Sequence, residues 1–461
     1  MAKPHILFIC ADQHRYDCLG ANGHPLVRTP HLDGLARDGA NFSHAFTPAP
    51  VCVPARCSLL TGRWPTQHGV ICNFDGEAFK PLDPALPTCA AVVRDAGYRT
   101  IHIGHWHVDP KRSPHDFGFQ EFTPDWRYRK WRAARGRERC PSDKGWAGQV
   151  DPHITPDESA PAWSAAQVIR WLERANDDAD PLFIHWHLLE PHLPCRPPEP
   201  FASMYNPKQI APWPGFAETF AGKPYIQQQM LRTWGIEHFT WNDWAPVVAF
   251  YLGAVSLVDF AVGNVLAALD RLGLRDNTLV IYSADHGDMC GSHRMLDKHY
   301  VMYDDIVRVP LLLRWPGVIP PKTTPDAFVS NALDLAATFC DAAGAPAPPA
   351  FAGTSLLPIA RGDSRGERQD IFASYHGNQF GSFSQRMLRD RRWKYVWNAT
   401  AEDELYDLQS DPGELRNRAC DPQCAAELTR LRQRLLHWME ATNDLLLNHW
   451  IRTQLSENRK R

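Results

Sequence analysis

His5-Ile-Leu-Phe-Ile-Cys-Ala-Asp-Gln13 is a short, unbroken apolar run that ends on a carboxylate and an amide. A continuous apolar stretch of this length, without polar alternation, reads as a strand buried on both faces, the kind found in parallel sheets. Runs of the same character recur at 100–103, 182–187, 279–283 and 310–313, each near a helical pattern such as 165–174 or 255–272. That alternation predicts an α/β fold, a large mainly parallel central sheet flanked by helices. In such sheets reactive groups gather beyond the carboxyl ends of the strands. Three of the runs end on Asp12-Gln13, His105-Trp-His107 and Asp285-His-Gly287, so the pattern points to one site.

The chain of 461 residues, 44% hydrophobic, exceeds ordinary single-domain size, and we expect a catalytic domain over 1–365 and a smaller α+β domain over 366–461. In the second part, 386–398 reads as a hairpin centred on Asp390-Arg-Arg392, and Leu428, Leu431, Leu435 and Met439 share one helical face. The stretches 345–350 and 361–366 read as irregular connections. A net charge of -3 excludes the global field that draws proteins to nucleic acid or an anionic membrane. The basic run Arg127–Arg139 is read as a solvated insertion. The apolar run at the N-terminus is too short for a signal-peptide core, and no later stretch reads as long enough to span a bilayer, so the expected location is cytoplasmic. The twelve cysteines lack the dense spacing of a disulfide scaffold and read mostly as buried thiols, with Cys420 to Cys424 a surface turn.

Cys52-Val-Pro-Ala-Arg-Cys-Ser-Leu-Leu-Thr-Gly62 carries the chemistry. A cysteine at a helix start meets free N–H groups and the positive dipole end, and Arg56 one turn on adds a fixed cation. Asp12, Gln13, Asp285 and His286 offer oxygen and imidazole donors suited to a divalent cation. Taken singly, each is also an ordinary cap or turn residue; their joint appearance favours a site. His185 and His187 lie on one face of a strand and read as buried strand histidines.

These segments resemble the sulfatases of the alkaline-phosphatase superfamily. Cys52, Pro54, Arg56 and Leu60-Thr-Gly62 match the signature in which the cysteine is oxidised to formylglycine, with Ala55 replacing a common serine. Gly104-His-Trp-His107 is similar to the family's Gly-Lys-Trp-His segment, with His105 in the lysine's place. Leu189-Glu-Pro-His192, Lys298, Trp393-Lys-Tyr395 and 404–412 extend the likeness over nearly the whole chain.

The resemblance implies an alkaline-phosphatase-like fold. It implies a sulfate ester hydrolase with Cys52, Arg56, His107, His192 and Lys298 catalytic, and His105, His192 and Lys298 binding substrate. The metal set would be Asp12, Gln13, Cys52, Asp285 and His286, holding Ca2+ as first choice and Mn2+ as second. The implied partners are a sulfated small molecule or saccharide and a formylglycine-generating or anaerobic sulfatase-maturing enzyme; a homo-oligomer stays open. Gln13 and His105 favour an alternative, a phosphonate monoester or phosphodiester hydrolase using the same formylglycine. A third class, a non-catalytic binder of sulfated ligands, draws on Ala55 and the basic run.

Overall fold

In a computed structural model of the chain, the residues described are 3–74, 80–139, 145–175, 180–363, 368–377, 379, 381–457 and 460. The strands in chain order are β1 (His5–Asp12), β2 (Ala40–Asn41), β3 (Ala45–Phe46), β4 (Arg99–Gly104), β5 (Glu121–Pro124), β6 (Leu182–Pro191), β7 (Thr278–Ala284), β8 (Leu311–Arg314), β9 (Val329–Ser330), β10 (Ile371–Gly377), β11 (Phe383–Arg389), β12 (Trp393–Asn398) and β13 (Glu404–Asp407). Seven form the central sheet in the order β2-β8-β7-β1-β6-β4-β5. The contacts β7-β1-β6-β4-β5 are all parallel, and β8 and β2 run antiparallel at one edge.

Strand period two sorts the core. Leu7, Ile9 and Ala11 point to the face covered by α1 (Pro30–Arg37), α4 (Ala160–Arg174) and α5 (Trp241–Arg271). Ile6, Phe8 and Cys10 point to the face covered by α2 (Cys52–Thr61) and α6 (Asn331–Ala342). A further helix, α3 (Trp126–Ala133), follows β5. Both faces are therefore dry, which is why the strands are apolar throughout rather than alternating.

The expectation that no stretch is long enough to cross a bilayer is corrected by α5. It spans 31 residues, far beyond the predicted 255–272, and contains a window apolar enough for a membrane span. Of that window 83% is buried inside the molecule. Polar Trp241-Asn-Asp243 and Pro246 hid the helix start; Thr240 N–H donates to the Asp243 carboxylate at 2.8 Å, closing the first turn.

The second sheet, β10-β11-β12-β13, is antiparallel throughout. The predicted hairpin is β11-β12, with the Asp390 carboxylate accepting from the N–H groups of Arg392 (2.9 Å) and Trp393 (2.7 Å) at its turn. The helix α7 (Ala425–Ala441) buries Leu428, Leu431, Leu435 and Met439 against this sheet. The expected boundary at 365/366 falls at 364–367, outside the described residues. All described cysteines are free thiols, and Cys420 alone among them is exposed.

Candidate active site

Parallel pairing brings the ends of β1, β7 and β4 level: Ala11 of β1 pairs with Ala284 of β7, and Cys10 of β1 and Gly104 of β4 both pair with His187 of β6. The residues that follow, Asp12, Asp285 and His105, therefore emerge at one sheet edge, where the N-terminus of α2 also arrives. Two glycines allow the approach. A Cβ on Gly287 would sit 2.0 Å from the Asp305 carbonyl, and one on Gly104 2.0 Å from that of His187.

Cys52 is the first residue of α2 and is buried. The helix start is capped across space, since the Asn73 side-chain oxygen accepts from the Val53 N–H at 3.1 Å. Cys52 Sγ lies 3.2 Å from His286 Nε2 and 3.9 Å from Asp12 Oδ1. Burial alone would raise its pKa, but Lys298 and His286, with hydrogen bonds from His107 and His192, hold the thiol well below its ordinary value.

Arg56 ties the acids together from behind. Its Nε donates to Asp285 Oδ2 and its Nη2 to Asp12 Oδ2, each at 2.9 Å, and its Nη1 donates to His187 Nδ1 at 2.7 Å. All are buried. His187, expected to be merely a strand histidine, thus holds the guanidinium; nothing in the sequence distinguishes it from His185. Asp12 remains below the usual carboxylate range. Burial and the Cys52 charge push it upward, but His192, Arg56 and Lys298 outweigh them.

A cation fits the edge these groups share. One donor atom each from Asp12, Cys52, Asp285 and His286 lie within 4.8 Å of one another. His286 Nδ1 faces the Gly287 carbonyl at 2.9 Å, which holds a proton there and leaves Nε2 as the nitrogen that faces the acids. Burial would lower the His286 pKa, yet Asp285 and Cys52 push it up to about 9, the mark of a place that attracts positive charge. Gln13 joins the set with Oε1 buried and unpartnered.

Lys298 Nζ lies 3.0 Å from His192 Nε2, and His192 Nδ1 donates to the Leu193 carbonyl at 2.6 Å. His107 keeps a buried, unpartnered Nδ1 and reaches the Cys52 thiol. His105 stands slightly apart, its Nδ1 3.2 Å from Asp125 Oδ2. It opens on a cavity of about 450 Å³ whose walls include Tyr128, Arg129, Trp163 and Leu188. The basic run is therefore only partly a solvated insertion: Tyr128 and Arg132 are buried, and Arg132 makes two bonds to Asp151, at 2.6 and 2.8 Å. Sequence reasoning also missed Asn73, Asp288 and Asp297, polar residues whose contacts lie far away in the chain.

Comparison with known proteins identifies the family. The sequence pattern of the sulfatase family matches residues 4–345, and that of the N-sulphoglucosamine sulphohydrolase C-terminal region matches 291–441. The chain is 28% identical to an arylsulfatase of Clostridium perfringens over 96% of its own length and 95% of that protein. It is 30% identical to a choline-sulfatase of Rhizobium meliloti, covering 95% and 88%. Among solved structures, a phosphonate monoester hydrolase of Agrobacterium radiobacter superposes with a TM-score of 0.84 at 29% identity, covering 96% and 97%. The chain belongs to the sulfatase family, with the alkaline-phosphatase superfamily fold, and is a sulfuric ester hydrolase.

Proposed function

We propose that this enzyme cleaves the sulfate ester of a small molecule or saccharide, with Cys52 matured to formylglycine by a separate maturing enzyme and a divalent cation, Ca2+ or else Mn2+, held by Asp12, Gln13, Asp285 and His286 beside it. The observation that carries this reading is the convergence on Cys52 of three donor residues, Asp12, Asp285 and His286, and three further cationic or imidazole groups, Lys298, His107 and His192, all at one sheet edge. When present, the modified residue supplies a hydroxyl nucleophile and the cation supplies Lewis-acid stabilisation of the oxygens around sulfur.

The chain's own residues do the rest. Arg56 fixes Asp12 and Asp285 side by side, where they would hold a shared cation, and is itself fixed by His187. Lys298 brings a buried positive charge to the side of Cys52 and offsets negative charge growing on the transferred group. Lys298 and His192 share a hydrogen bond, so the pair can deliver a proton to the departing ester oxygen. His107 reaches the Cys52 side chain and can take a proton there as the sulfate is released. The neighbouring cavity, at about 450 Å³, has the size of ordinary small-molecule sites and suits the alcohol portion of the ester.

Intact mass after co-expression with a maturing enzyme tests the nucleophile: Cys52 is expected about 18 Da lighter, the thiol-to-aldehyde change. An unmodified thiol in protein that turns over aryl sulfate would overturn the reading. A second reading, phosphonate monoester hydrolysis, is favoured by the uncharged Gln13 and by the likeness to the Agrobacterium radiobacter enzyme. Parallel assays with an aryl sulfate and an aryl phosphonate ester separate the two, and a large preference for the phosphonate would replace the first with the second.

A further inference from the structure

Gln13 directly follows Asp12 and carries an uncharged amide, a group that can be inserted the wrong way round. Its oxygen can face a cation; its NH2 cannot. Directly after β1, Gln13 holds a left-handed backbone (φ 64) that is rare for such a residue, and surrounding bonds fix it. The Gln13 N–H donates to Asp285 Oδ1 at 3.2 Å, and its carbonyl accepts from the Tyr251 hydroxyl at 2.6 Å.

The side chain then reaches two buried acids. Gln13 Nε2 donates to Asp288 Oδ2 at 3.0 Å and to Asp297 Oδ1 at 2.5 Å, while Oε1 has no partner. Each acid is held in turn. Asp288 Oδ1 accepts from the Cys290 N–H at 2.6 Å, and Asp297 lies 3.4 Å from both Lys298 Nζ and His299 Nε2. Turning the amide over would press Oε1 against two carboxylates and turn both Nε2 hydrogens away from them.

We infer that Asp288 and Asp297 are positioning residues: together they hold the Gln13 amide with Oε1 toward the cation and so make a neutral side chain serve as a metal ligand. This rests on the cation reading given above. It also accounts for two carboxylates being buried close together, an arrangement that costs stability unless a shared donor lies between them.

The experiment is a calorimetric titration of metal-stripped protein with Mn2+ alone, in a two-by-two set: wild type, Gln13→Glu, the double variant Asp288→Asn/Asp297→Asn, and all three changes together. The double variant, which permits either amide orientation, is expected to bind Mn2+ about 10-fold or more weakly, the usual effect of losing an outer-shell partner. Gln13→Glu is expected to weaken binding in the wild-type background, where a third carboxylate meets two others. In the Asp288→Asn/Asp297→Asn background it is expected to strengthen binding, because two amides can then donate to it. That reversal of sign is something a merely architectural role would not produce.

Equal effects of Gln13→Glu in both backgrounds, or a double variant that binds within about 2-fold of wild type, would overturn the inference. Wild type that binds no Mn2+ or Ca2+ would instead overturn the cation reading beneath it. If the double variant fails to fold, the single variants Asp288→Asn and Asp297→Asn carry the same cycle, each expected to show an intermediate loss.

Discussion

Two kinds of buried charge cluster differ in what their groups converge on. In the junction with the second sheet, Lys394 Nζ pairs with the Asp304 and Glu414 carboxylates at 2.6 and 2.7 Å and donates to the Met302 carbonyl at 3.0 Å. Deeper in that sheet Arg386 grips both oxygens of Asp444, at 2.6 and 2.8 Å, and spends another donor on the Gln385 carbonyl at 2.8 Å. At the edge of the central sheet Arg56 anchors Asp12 and Asp285 as firmly. There, however, Gln13 Oε1 is left without a partner, and His286 Nε2 is turned on Cys52 Sγ at 3.2 Å. Buried charge by itself marks architecture. Donor atoms that converge on a nucleophilic side chain mark chemistry.

Breaking each cluster should therefore be felt in different quantities. Cys52→Ala should cut turnover on the order of 10⁴-fold or more, as loss of a nucleophile does, while the thermal unfolding midpoint stays near wild type. Initial rates on an aryl sulfate beside a melting curve check both halves. Arg386→Met should do the opposite. It strands Asp444 in a fully buried position and should cost about 3–5 kcal/mol of stability, read by denaturant unfolding. Its folded fraction should keep the wild-type kcat/KM.

A smaller effect sharpens the contrast. A cation that binds the native state adds stability by mass action, about 2.7 kcal/mol at a hundred times its Kd. Added Mn2+ or Ca2+ should raise the midpoint of metal-stripped wild type. It should also recover part of the stability lost in Arg56→Met, where it can pair Asp12 and Asp285 itself. It should recover none of the Arg386 pair's own share. Recovery of equal size in both variants would show that the edge cluster is no more open than the other.

Much of this was legible in the sequence because strand-end chemistry is local. Asp12, His105 and Asp285 each follow an apolar run, and the Cys52 segment declares both a helix start and its arginine. The hairpin at 386–398 and the apolar face of α7 were readable for the same reason: turn residues and helical spacing act over a few positions. The rest was not local. Asp288 and Asp297 act through an amide that precedes them by 275 and 284 residues, and His187 supports an arginine 131 residues away. Nearly the whole N-terminal half of α5 was hidden because tertiary burial, not periodicity, sustains a helix through Pro246.

Asp259 offers the finest test, being a buried acid that belongs to neither kind of cluster. No cation among the described residues pairs with it. Its Oδ1 accepts from the backbone N–H groups of His31 (3.1 Å) and Leu32 (2.8 Å) at the start of α1. Burial pushes its pKa up to about 7 from an ordinary 3.8, against the pull of those two hydrogen bonds. The sign follows from proton linkage: between about pH 4 and 7 the folded chain holds a proton on Asp259 that the unfolded chain has released. Protonation thus favours the fold, and this contribution is lost as pH rises through 7. Asp259→Asn keeps an oxygen acceptor for α1 but cannot ionise. The variant's stability relative to wild type should therefore rise between pH 5 and pH 8, measured by urea unfolding at each pH. A constant difference would mean that Asp259 keeps its charge on the two backbone donors alone, so that a lone buried carboxylate needs no cation to stay ionised.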